Sequence, residues 1–390
     1  MKKNIKRCNQ GIWDESVPGI HFDQNGSSNY SKMFKEMELK YPQGTKGSYE
    51  FEKLVDKIKS ISKNKQYDCL IGVSGGTDSS YLMHIAKTKY NLNPLAVTFD
   101  NGWASDTAVK NIKKLTSALN IDLETYVVNY EEMKDILKSY MKASLPWIDF
   151  PTDHAIKSIL YKTAKREGIK YILIGHDFRS EGTQPYEWTY GDSKQLKFIQ
   201  KRFGKEKIQS YPNISLFEQA YLSYIKNIKM IYPFFFLDYN KKNAQELLIK
   251  EYDWEYYGGH HHENIFTKYS IAYWMTKKHQ IDKRLITFSA QIMSGEITRE
   301  NALNKIYESP YDINLMERDK DYIIKKLDFT VEEYNKIWQN SNKSFKDYPS
   351  HFSAIEKIAF LIKPLMKFVL PQLPSFFFQV EARSKASKKT

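Results

Sequence analysis

The sequence has few cysteines and no long hydrophobic run, and both absences restrict the class of protein. Its 390 residues contain two cysteines, Cys8 and Cys69, which excludes a disulfide-stapled scaffold and fits a reducing cytoplasm. No stretch of about 18 apolar residues is present, so we expect no transmembrane helix. The hydrophobic fraction of 41% is that of a globular chain long enough for two or three structural units.

The sequence is also short of acidic residues relative to basic ones, with a net charge of +13 at pH 7. Nucleic-acid binding is one explanation for such a charge. The lysines are spread along the chain, however, so a nucleotide, a nucleotide-sugar or an acidic partner surface explains the charge equally well. Charge alone therefore does not favour a nucleic-acid partner.

The most informative stretch is Asp68–Ala86, DCLIGVSGGTDSSYLMHIA. Its apolar run Cys69–Val73 predicts a buried parallel strand, and the apolar residues after Ser79 have helical spacing. Two glycines between strand and helix let the backbone approach an anion closely. The helix that follows directs free N–H groups and the positive end of its dipole at that anion. The pattern therefore predicts a phosphate-binding loop.

The loop lacks the Lys-Ser or Lys-Thr pair that follows the second glycine in the other common phosphate loop. Asp78 would repel phosphate unless a divalent cation lay between them, so we predict that Asp78 is a magnesium ligand. The hydroxyl groups of Ser74, Thr77 and Ser79 supply further donors. An ordinary glycine–serine turn is the alternative, but a strand, an aspartate and a helix in register favour the phosphate loop.

The SGGTDS sequence after a strand resembles the pyrophosphatase loop of the N-type ATP pyrophosphatases. Those enzymes cleave ATP to AMP and pyrophosphate while they adenylate an oxygen, so the resemblance implies ATP and Mg²⁺ as cofactors. Further strands are predicted at Pro94–Asp100, Leu123–Val128 and Tyr171–Gly175, with helices between them. This alternation predicts an α/β fold with a doubly wound parallel sheet, of the adenine nucleotide α-hydrolase type.

Polar residues follow the predicted strands, where doubly wound sheets bind their ligands. Phe99, Asp100 and Asn101 end the second strand and are predicted to meet the adenosine, with an ordinary helix cap as the alternative. ATP pyrophosphatases carry a pair similar to Gly175-His176, which implies a contact with the phosphates or the adenylated intermediate. The predicted nucleotide-binding residues are Gly72, Val73, Ser74, Gly75, Gly76, Thr77, Asp78, Ser79, Phe99, Asp100, Asn101, Gly175 and His176.

Nearly the whole chain resembles the N-acetyl sugar amidotransferases of bacterial surface-polysaccharide biosynthesis. The motifs that carry this resemblance are the loop, Gly175–Asp177, Glu181-Gly182 with Trp188, Gly258–Glu263 and Ser294–Ala302. It implies that the region Arg179–Trp188 faces the acceptor sugar. The substrate-binding candidates are Asp149, Glu181, Gly182, Trp188, His261, His262 and Glu263, and the catalytic candidates are Ser74, Asp78, His176 and Lys268.

The histidine run in Gly258–Glu263 does not predict a zinc site, because consecutive residues do not share a helix face. Its alternative interpretation is a glycine turn and a helix start with Glu263 near the positive dipole end. Lys268 follows about one turn later, where it can meet phosphate. Asp149 lies in a proline-rich, aromatic stretch that either covers the nucleotide or only caps the next helix.

Members of the resembled family open with a zinc ribbon of two Cys-x-x-Cys pairs, and only Cys8 is retained here. The other three ligand positions fall on Ile5, Ser28 and Ser31. A closed zinc site needs about four sulfur or imidazole ligands, so we expect no zinc.

Four regions are predicted along the chain. Residues 1–48 form the degenerate zinc-ribbon-like module, 49–235 the ATP pyrophosphatase domain, and 236–350 a helical substrate or partner region. Residues 351–390 form a hydrophobic and basic tail. This tail either lies on the inner membrane surface or packs on the core or a partner.

The resemblance implies ATP-dependent conversion of a sugar N-acetyl group to an acetamidino group through an O-adenylated intermediate that ammonia attacks. No Cys-His glutaminase arrangement is visible, because Cys69 lies in a predicted strand and Cys8 stands alone. Ammonia is therefore expected from a separate glutaminase subunit, with a cyclase-like barrel subunit that channels it. Two alternatives stay open: a tRNA-modifying or sulfur-transferring ATP pyrophosphatase, and a non-catalytic assembly subunit.

Overall fold

The computed structural model describes residues 5–259, 263–359, 370 and 372–387. Its centre is a sheet of five strands, β1 (Cys69–Gly72), β2 (Pro94–Asp100), β3 (Leu123–Val127), β4 (Tyr171–Leu173) and β5 (Lys229–Ile231). The strands pair in parallel in the order β3-β2-β1-β4-β5. The order reverses between β1 and β4, so the predicted doubly wound α/β fold is confirmed. The short strand β5 was not predicted.

Helices cover both faces of the sheet and build the rest of the molecule. Those of the first half are α1 (Asn29–Lys40), α2 (Gly44–Ser62), α3 (Thr77–Thr88), α4 (Asp106–Leu119), α5 (Tyr130–Lys142), α6 (Phe150–Arg166), α7 (Phe178–Glu181), α8 (Tyr186–Thr189) and α9 (Ser193–Phe203). Those that follow are α10 (Leu216–Ala220), α11 (Lys241–Tyr252), α12 (Ile265–Tyr269), α13 (Arg284–Met293), α14 (Arg299–Tyr307), α15 (Ile313–Lys326), α16 (Val331–Gln339) and the C-terminal helix (Ser375–Ser387). Single π-helical segments continue α10 and α12 at Tyr221–Ile225 and Ser270–Lys278, and 3₁₀ turns lie at Pro233–Phe235 and Phe345–Asp347.

Local capping explains where several helices begin. The Ser105 hydroxyl and the Asn129 side-chain oxygen accept backbone N–H bonds at the starts of α4 and α5. Helix α6 begins at Phe150, because Pro151 is compatible with a first helical turn. This start makes Asp149 the N-cap residue of α6.

The central strand β1 is buried on both faces, which explains its continuous apolar sequence. Leu70 packs in one cluster with Ile159 and Leu160 of α6. Cys69 and Ile71 belong to the cluster on the opposite face, which is built with α2, α3, α4 and α11. Alternating side chains of one strand therefore anchor helices on both sides of the sheet.

The N-terminal module is held by packing and hydrogen bonds around Cys8, which is fully buried. The Cys8 Sγ accepts a hydrogen bond from the Ser28 N–H at 3.3 Å, and the Ser28 hydroxyl accepts from the Ser31 N–H to cap α1. Arg299 in α14 donates to the Gly11 carbonyl at 3.1 Å, which ties this module to the C-terminal helices. Within the described ranges, no three His, Cys, Asp or Glu residues are arranged to hold a metal ion.

The C-terminal helix packs against the N-terminal part of the chain. Arg383 donates to the Tyr30 hydroxyl at 2.8 Å and to the Pro18 carbonyl at 3.0 Å, and it forms an ion pair with Glu187 at 2.5 Å. This part of the tail therefore packs on the core, while a membrane contact of the tail stays a prediction. Within the part of the chain that the structure describes, no helix has the length and apolarity needed to cross a membrane.

Candidate functional site: a nucleotide cavity at the sheet reversal

The predicted phosphate loop connects β1 to α3 and lies at the point where the strand order reverses. Gly75 has a φ of +79°, and a Cβ added there would lie 2.3 Å from the Ala108 carbonyl oxygen. Only glycine meets both conditions, because the conformation is left-handed and the neighbouring atom belongs to the backbone. Gly76 is the N-cap residue of α3, so the first N–H groups of this helix open toward the loop.

Hydrogen bonds within the loop hold its curvature. The Gly76 N–H donates to the Ser74 hydroxyl and the Ser74 N–H donates to the Ser79 hydroxyl, both at 3.3 Å. The Thr77 N–H donates to the hydroxyl of Tyr257 at 3.1 Å. A bound phosphate would compete with the Tyr257 hydroxyl for this helix N–H, which is a typical anion donor.

A cavity of about 480 Å³ opens beside this loop, between the carboxyl ends of the strands. Val97, Ile112, Leu123 and Ile174 form an apolar part of its wall, which suits an adenine ring. The predicted residues that line the cavity are Gly72, Val73, Ser74, Gly76, Asp78, Ser79, Phe99, Asp100, Asn101, Gly175, His176, Glu181 and Glu263. Gly75 and Thr77 belong to the loop without lining the cavity.

Asp78 faces the cavity from the first turn of α3 and has two partners from a distant part of the chain. The Tyr239 hydroxyl donates to one carboxylate oxygen, and the Lys241 ammonium contacts the other at 2.9 Å. Burial opposes a charge on Lys241, but the carboxylates of Asp78 and Glu181 outweigh it and raise the pKa of this lysine. Lys241 is therefore a fixed cation beside the phosphate loop.

His176 follows β4, on the other side of the sheet reversal. Its Nδ1 lies 2.7 Å from a carboxylate oxygen of Glu181 in α7. Burial favours neutral imidazole, but the adjacent Glu181 charge raises the pKa of His176 above its usual value. A protonated His176 is a donor for phosphate oxygens or for an adenylated intermediate.

A polar part of the cavity wall includes residues from the second half of the chain. Asn101 donates to the Thr152 hydroxyl at 3.1 Å and accepts from the Asn264 side-chain amide at 3.2 Å. Asp149 is fully buried and accepts a hydrogen bond from the Thr267 hydroxyl. Thr152, Asn264 and Thr267 line the cavity, whereas Asp149 positions Thr267 from behind.

Several predicted site residues lie elsewhere. Trp188 is 4% exposed and belongs to the hydrophobic core, and a Cβ at Gly182 would lie 2.7 Å from Ile286, so this glycine serves the packing of α7 against α13. The Lys268 ammonium pairs with Asp319 in α15 instead of lining the cavity. The structure therefore does not support site roles for Gly182, Trp188 and Lys268. His261 and His262 lie outside the described residues.

The residues around Asp78 fit a magnesium ion bound together with a nucleotide. Mg²⁺ is usually held by one or two carboxylates together with phosphate oxygens and waters. A single carboxylate at the mouth of a phosphate loop meets this requirement, and no all-protein cage is needed. When bound there, Mg²⁺ would neutralise charge on the phosphates, while Lys241 and the α3 N–H groups act from the protein side.

Sequence reasoning missed three residues at the loop, namely Tyr239, Lys241 and Tyr257. Tyr239 and Lys241 lie 161 and 163 positions after their partner Asp78. Tyr257 lies 180 positions after its partner Thr77. No motif surrounds Tyr239 and Lys241, and although Tyr257 directly precedes the motif Gly258–Glu263, tyrosines and lysines are abundant in the whole sequence. Only the folding of α11 and the 254–259 segment onto α3 brings them to the site.

Two segments of the chain match known families. Residues 50–209 match the family model of NAD synthase, and residues 263–359 match the model described as LPS biosynthesis protein WbpG-like, C-terminal domain. The sheet order, the SGGTDS loop and the first match define the class as an ATP pyrophosphatase of the N type. The WbpG-like match over residues 263–359 makes the chain similar, within that class, to proteins of surface-polysaccharide biosynthesis.

The sequence is similar to that of a curated protein from Methanocaldococcus jannaschii, which is described as an uncharacterized protein. It is 29% identical over 147 residues, which are 36% of this chain and 48% of that protein. The chain thus spans about half the length of the curated relative it matches.

Two enzymes are among the solved structures to which this chain is similar. The U34-tRNA thiolase NcsA from Methanococcus maripaludis is 14% identical, with a TM-score of 0.32 over 80% of this chain and 95% of that one. The NH₃-dependent NAD synthetase from Campylobacter jejuni is 16% identical, with a TM-score of 0.28 over 68% and 99%. At these scores neither similarity carries an argument about activity.

Proposed function

We propose that this protein is an ATP-dependent amidotransferase that converts the N-acetyl group of a sugar to an acetamidino group. One observation carries the proposal: residues of both family-matched segments meet in one cavity. Asp78 and Ser79 come from the segment that matches NAD synthase, and Asn264 and Thr267 come from the WbpG-like segment. A nucleotide on the loop and an acceptor on the polar wall would then share one space.

The proposed reaction has two steps. The acetamido oxygen attacks the α-phosphorus of ATP, and pyrophosphate leaves with the electrons of the broken phosphoanhydride bond. Ammonia then adds to the imidate carbon, AMP departs, and loss of a proton leaves the acetamidino group. In the first step, the loop N–H groups and Lys241 stabilise the negative charge that develops on the departing pyrophosphate.

The same cavity supplies groups for the acceptor. His176 is held by Glu181 in a position to donate to the adenylated intermediate. Thr267, fixed by Asp149, and Asn264, fixed by Asn101, present a hydroxyl and an amide to the acceptor. The Thr267 hydroxyl oxygen can accept and the second N–H of the Asn264 amide can donate, and preorganised groups of this kind orient the acetamido group toward the α-phosphorus.

The ammonia source is part of the proposal. Both cysteines are buried, and Cys69 lies inside β1, where burial raises the pKa of its thiol, so neither suits a glutaminase nucleophile. A separate glutaminase subunit, with a barrel-type subunit as channel, would therefore deliver ammonia. An N-acetylated nucleotide-sugar in the cytoplasm would be the acceptor.

The direct test is mass spectrometry of candidate N-acetylated nucleotide-sugars incubated with the protein, ATP and ammonium. The expected result is the exchange of one oxygen for an imino nitrogen, with pyrophosphate release that depends on the sugar. Pyrophosphate release that depends on tRNA would instead indicate a tRNA-modifying enzyme. Absence of release with every acceptor would indicate an assembly subunit.

The Asp78→Ala variant tests the role of the loop. It should abolish the turnover of ATP to pyrophosphate, because it removes the proposed magnesium ligand. Asp106→Ala is the matched control, since Asp106 is an exposed aspartate in the first turn of α4. Normal turnover in Asp78→Ala, or equal losses in both variants, would refute the metal role.

A further inference from the structure

A second cavity, of about 410 Å³, lies on the other side of α6 from the nucleotide site. Thr152, Asp153 and Ile156 of this helix line the nucleotide cavity. His154 and Lys157 of the same helix line the second cavity. Helix α6 therefore forms a common wall between two separate spaces, and the proposed reaction uses only one of them.

The lining of the second cavity is rich in amides, hydroxyls and aromatic rings. Its polar members are Gln184, Tyr186, Thr189, Tyr190, Ser193, Gln219, Ser375 and Gln379. The rings of Tyr186 and Tyr190 each lie 4.9 Å from the ring of Phe352, so packing holds both tyrosines in place. Rigid aromatic faces next to amide and hydroxyl groups are suited to a ligand with a carbon ring and many hydroxyls.

Lys157 is the cation of this cavity and has no close ion pair within the described ranges. Among the residues that the structure describes, no carboxylate lies within 4 Å of the Lys157 ammonium. Asp192 also lines the cavity, but its oxygens already accept from the Gln195 N–H, the Tyr190 hydroxyl and the His351 N–H. Burial lowers the pKa of Lys157, and the carboxylates of Asp153 and Asp192 oppose that shift from beyond ion-pair distance. A half-buried ammonium without a close ion pair is stabilised by an anion that enters the cavity.

His154 supplies a second unsatisfied group. Its side chain is almost fully buried, and Nε2 lies 2.7 Å from the Asn213 side-chain oxygen, which places the proton on Nε2. The lone pair of Nδ1 has no donor in the described part of the chain. Buried acceptors normally have a donor, so His154 adds a group of unmet hydrogen-bonding capacity to the wall of this cavity.

We propose that the second cavity binds a sugar that carries an anionic substituent, either a carboxylate or a phosphate. Lys157 pairs with the anion, and the amides and tyrosines contact the ring and its hydroxyls. The proposal stands on the cavity and its lining and does not depend on the amidation reaction. It concerns a site that is separate from the nucleotide loop.

The test is isothermal titration calorimetry of the full chain with glucuronate, glucose 1-phosphate, inorganic phosphate and glucose. Both anionic sugars should bind. Glucose should bind at least about tenfold more weakly, because it lacks the one charge-assisted hydrogen bond that contributes this difference in affinity. The two anionic sugars distinguish carboxylate from phosphate as the preferred group. Inorganic phosphate alone binding as tightly as the sugars would refute a sugar site.

Variants locate the site. Lys157→Met should weaken the binding of the anionic sugar at least about tenfold, whereas Lys165→Met, an exposed lysine of the same helix, should not. Asp78→Ala should retain sugar binding, so a failure of the proposed reaction leaves this result unaffected. Unchanged affinity in Lys157→Met, or displacement of the sugar by ATP, would overturn the proposal. If Lys157→Met does not fold, Gln219→Leu removes a lining amide and serves as the second variant.

Discussion

A substitution at Gly175 tests whether the end of β4 supports the phosphate loop by close backbone packing. A Cβ added at Gly175 would lie 2.7 Å from the carbonyl carbon of Asp78 and 2.8 Å from the backbone nitrogen of Ser79. Real Cβ atoms do not approach other heavy atoms within 3.0 Å. Because these neighbours are backbone atoms, they cannot rotate away, so Gly175→Ala must displace the first turn of α3.

The size of this displacement follows from the distances between the added Cβ and its neighbours. Ordinary contact begins at 3.4 Å, so the first turn of α3 or the end of β4 must move by about 0.7 Å. Overpacking of this kind costs about 1–3 kcal/mol of the free energy of unfolding. Because a misplacement of about 1 Å can cost about 100-fold in an active site, we expect the affinity for Mg²⁺-ATP to fall at least about tenfold.

The assay is calorimetric titration with a non-hydrolysable ATP analogue and Mg²⁺, together with urea unfolding. Gly72→Ala is the matched control, since its Cβ would meet only side-chain methyls of Leu160 and Ile174 at 3.2 and 3.4 Å. These methyls can move, so the control should lose less affinity and less stability. Wild-type affinity in Gly175→Ala, or an equal loss in Gly72→Ala, would refute the packing argument.

Three further predictions follow from the structure. Lys241→Met should weaken Mg²⁺-ATP binding by about tenfold because it removes the cation beside Asp78, whereas Lys242→Met, at a side chain 84% exposed, should bind like wild type. Burial lowers the pKa of His154 from 6.5 to about 4. At a pH between these two pKa values, the histidine takes up a proton only in the unfolded state. The free energy of unfolding should therefore fall by about 2 kcal/mol from pH 7 to pH 5. Urea midpoints measure this loss, and His154→Gln should remove it; a loss that persists in this variant would contradict the assignment. EDTA should leave the melting temperature unchanged, because the Cys8 thiol accepts the Ser28 N–H and no three His, Cys, Asp or Glu residues of the described chain are arranged to hold zinc; elemental analysis that found one zinc per chain would contradict this.

The phosphate loop and the strands that flank the sheet reversal could be predicted from local sequence. A buried parallel strand needs an apolar run, and Cys69–Gly72 has one. Gly75 stands where the chain takes a left-handed conformation against a neighbouring carbonyl. Strand ends in doubly wound sheets meet at one edge, so Phe99 and His176 could be assigned to the same cavity in advance.

Other features depended on contacts between distant parts of the chain. Lys268 looks like a phosphate ligand in the sequence, but packing of α12 against α15 pairs it with Asp319. The three-residue strand β5 is too short to be recognised from its pattern, and it forms because β4 offers it an edge. The N-terminal module, predicted as a degenerate zinc ribbon, contains the helix α1, whose start is marked locally by the Ser28 cap.

The sequence by itself determined the class of fold, the phosphate loop and the side of the sheet on which a nucleotide binds, because these depend on hydrophobic period, glycine conformation and helix termini. Only the tertiary structure decided that Tyr239, Lys241 and Tyr257 meet the loop and that a second cavity lies behind α6. Such contacts join residues more than 150 positions apart, and they arise from the packing of whole helices, which no local pattern encodes.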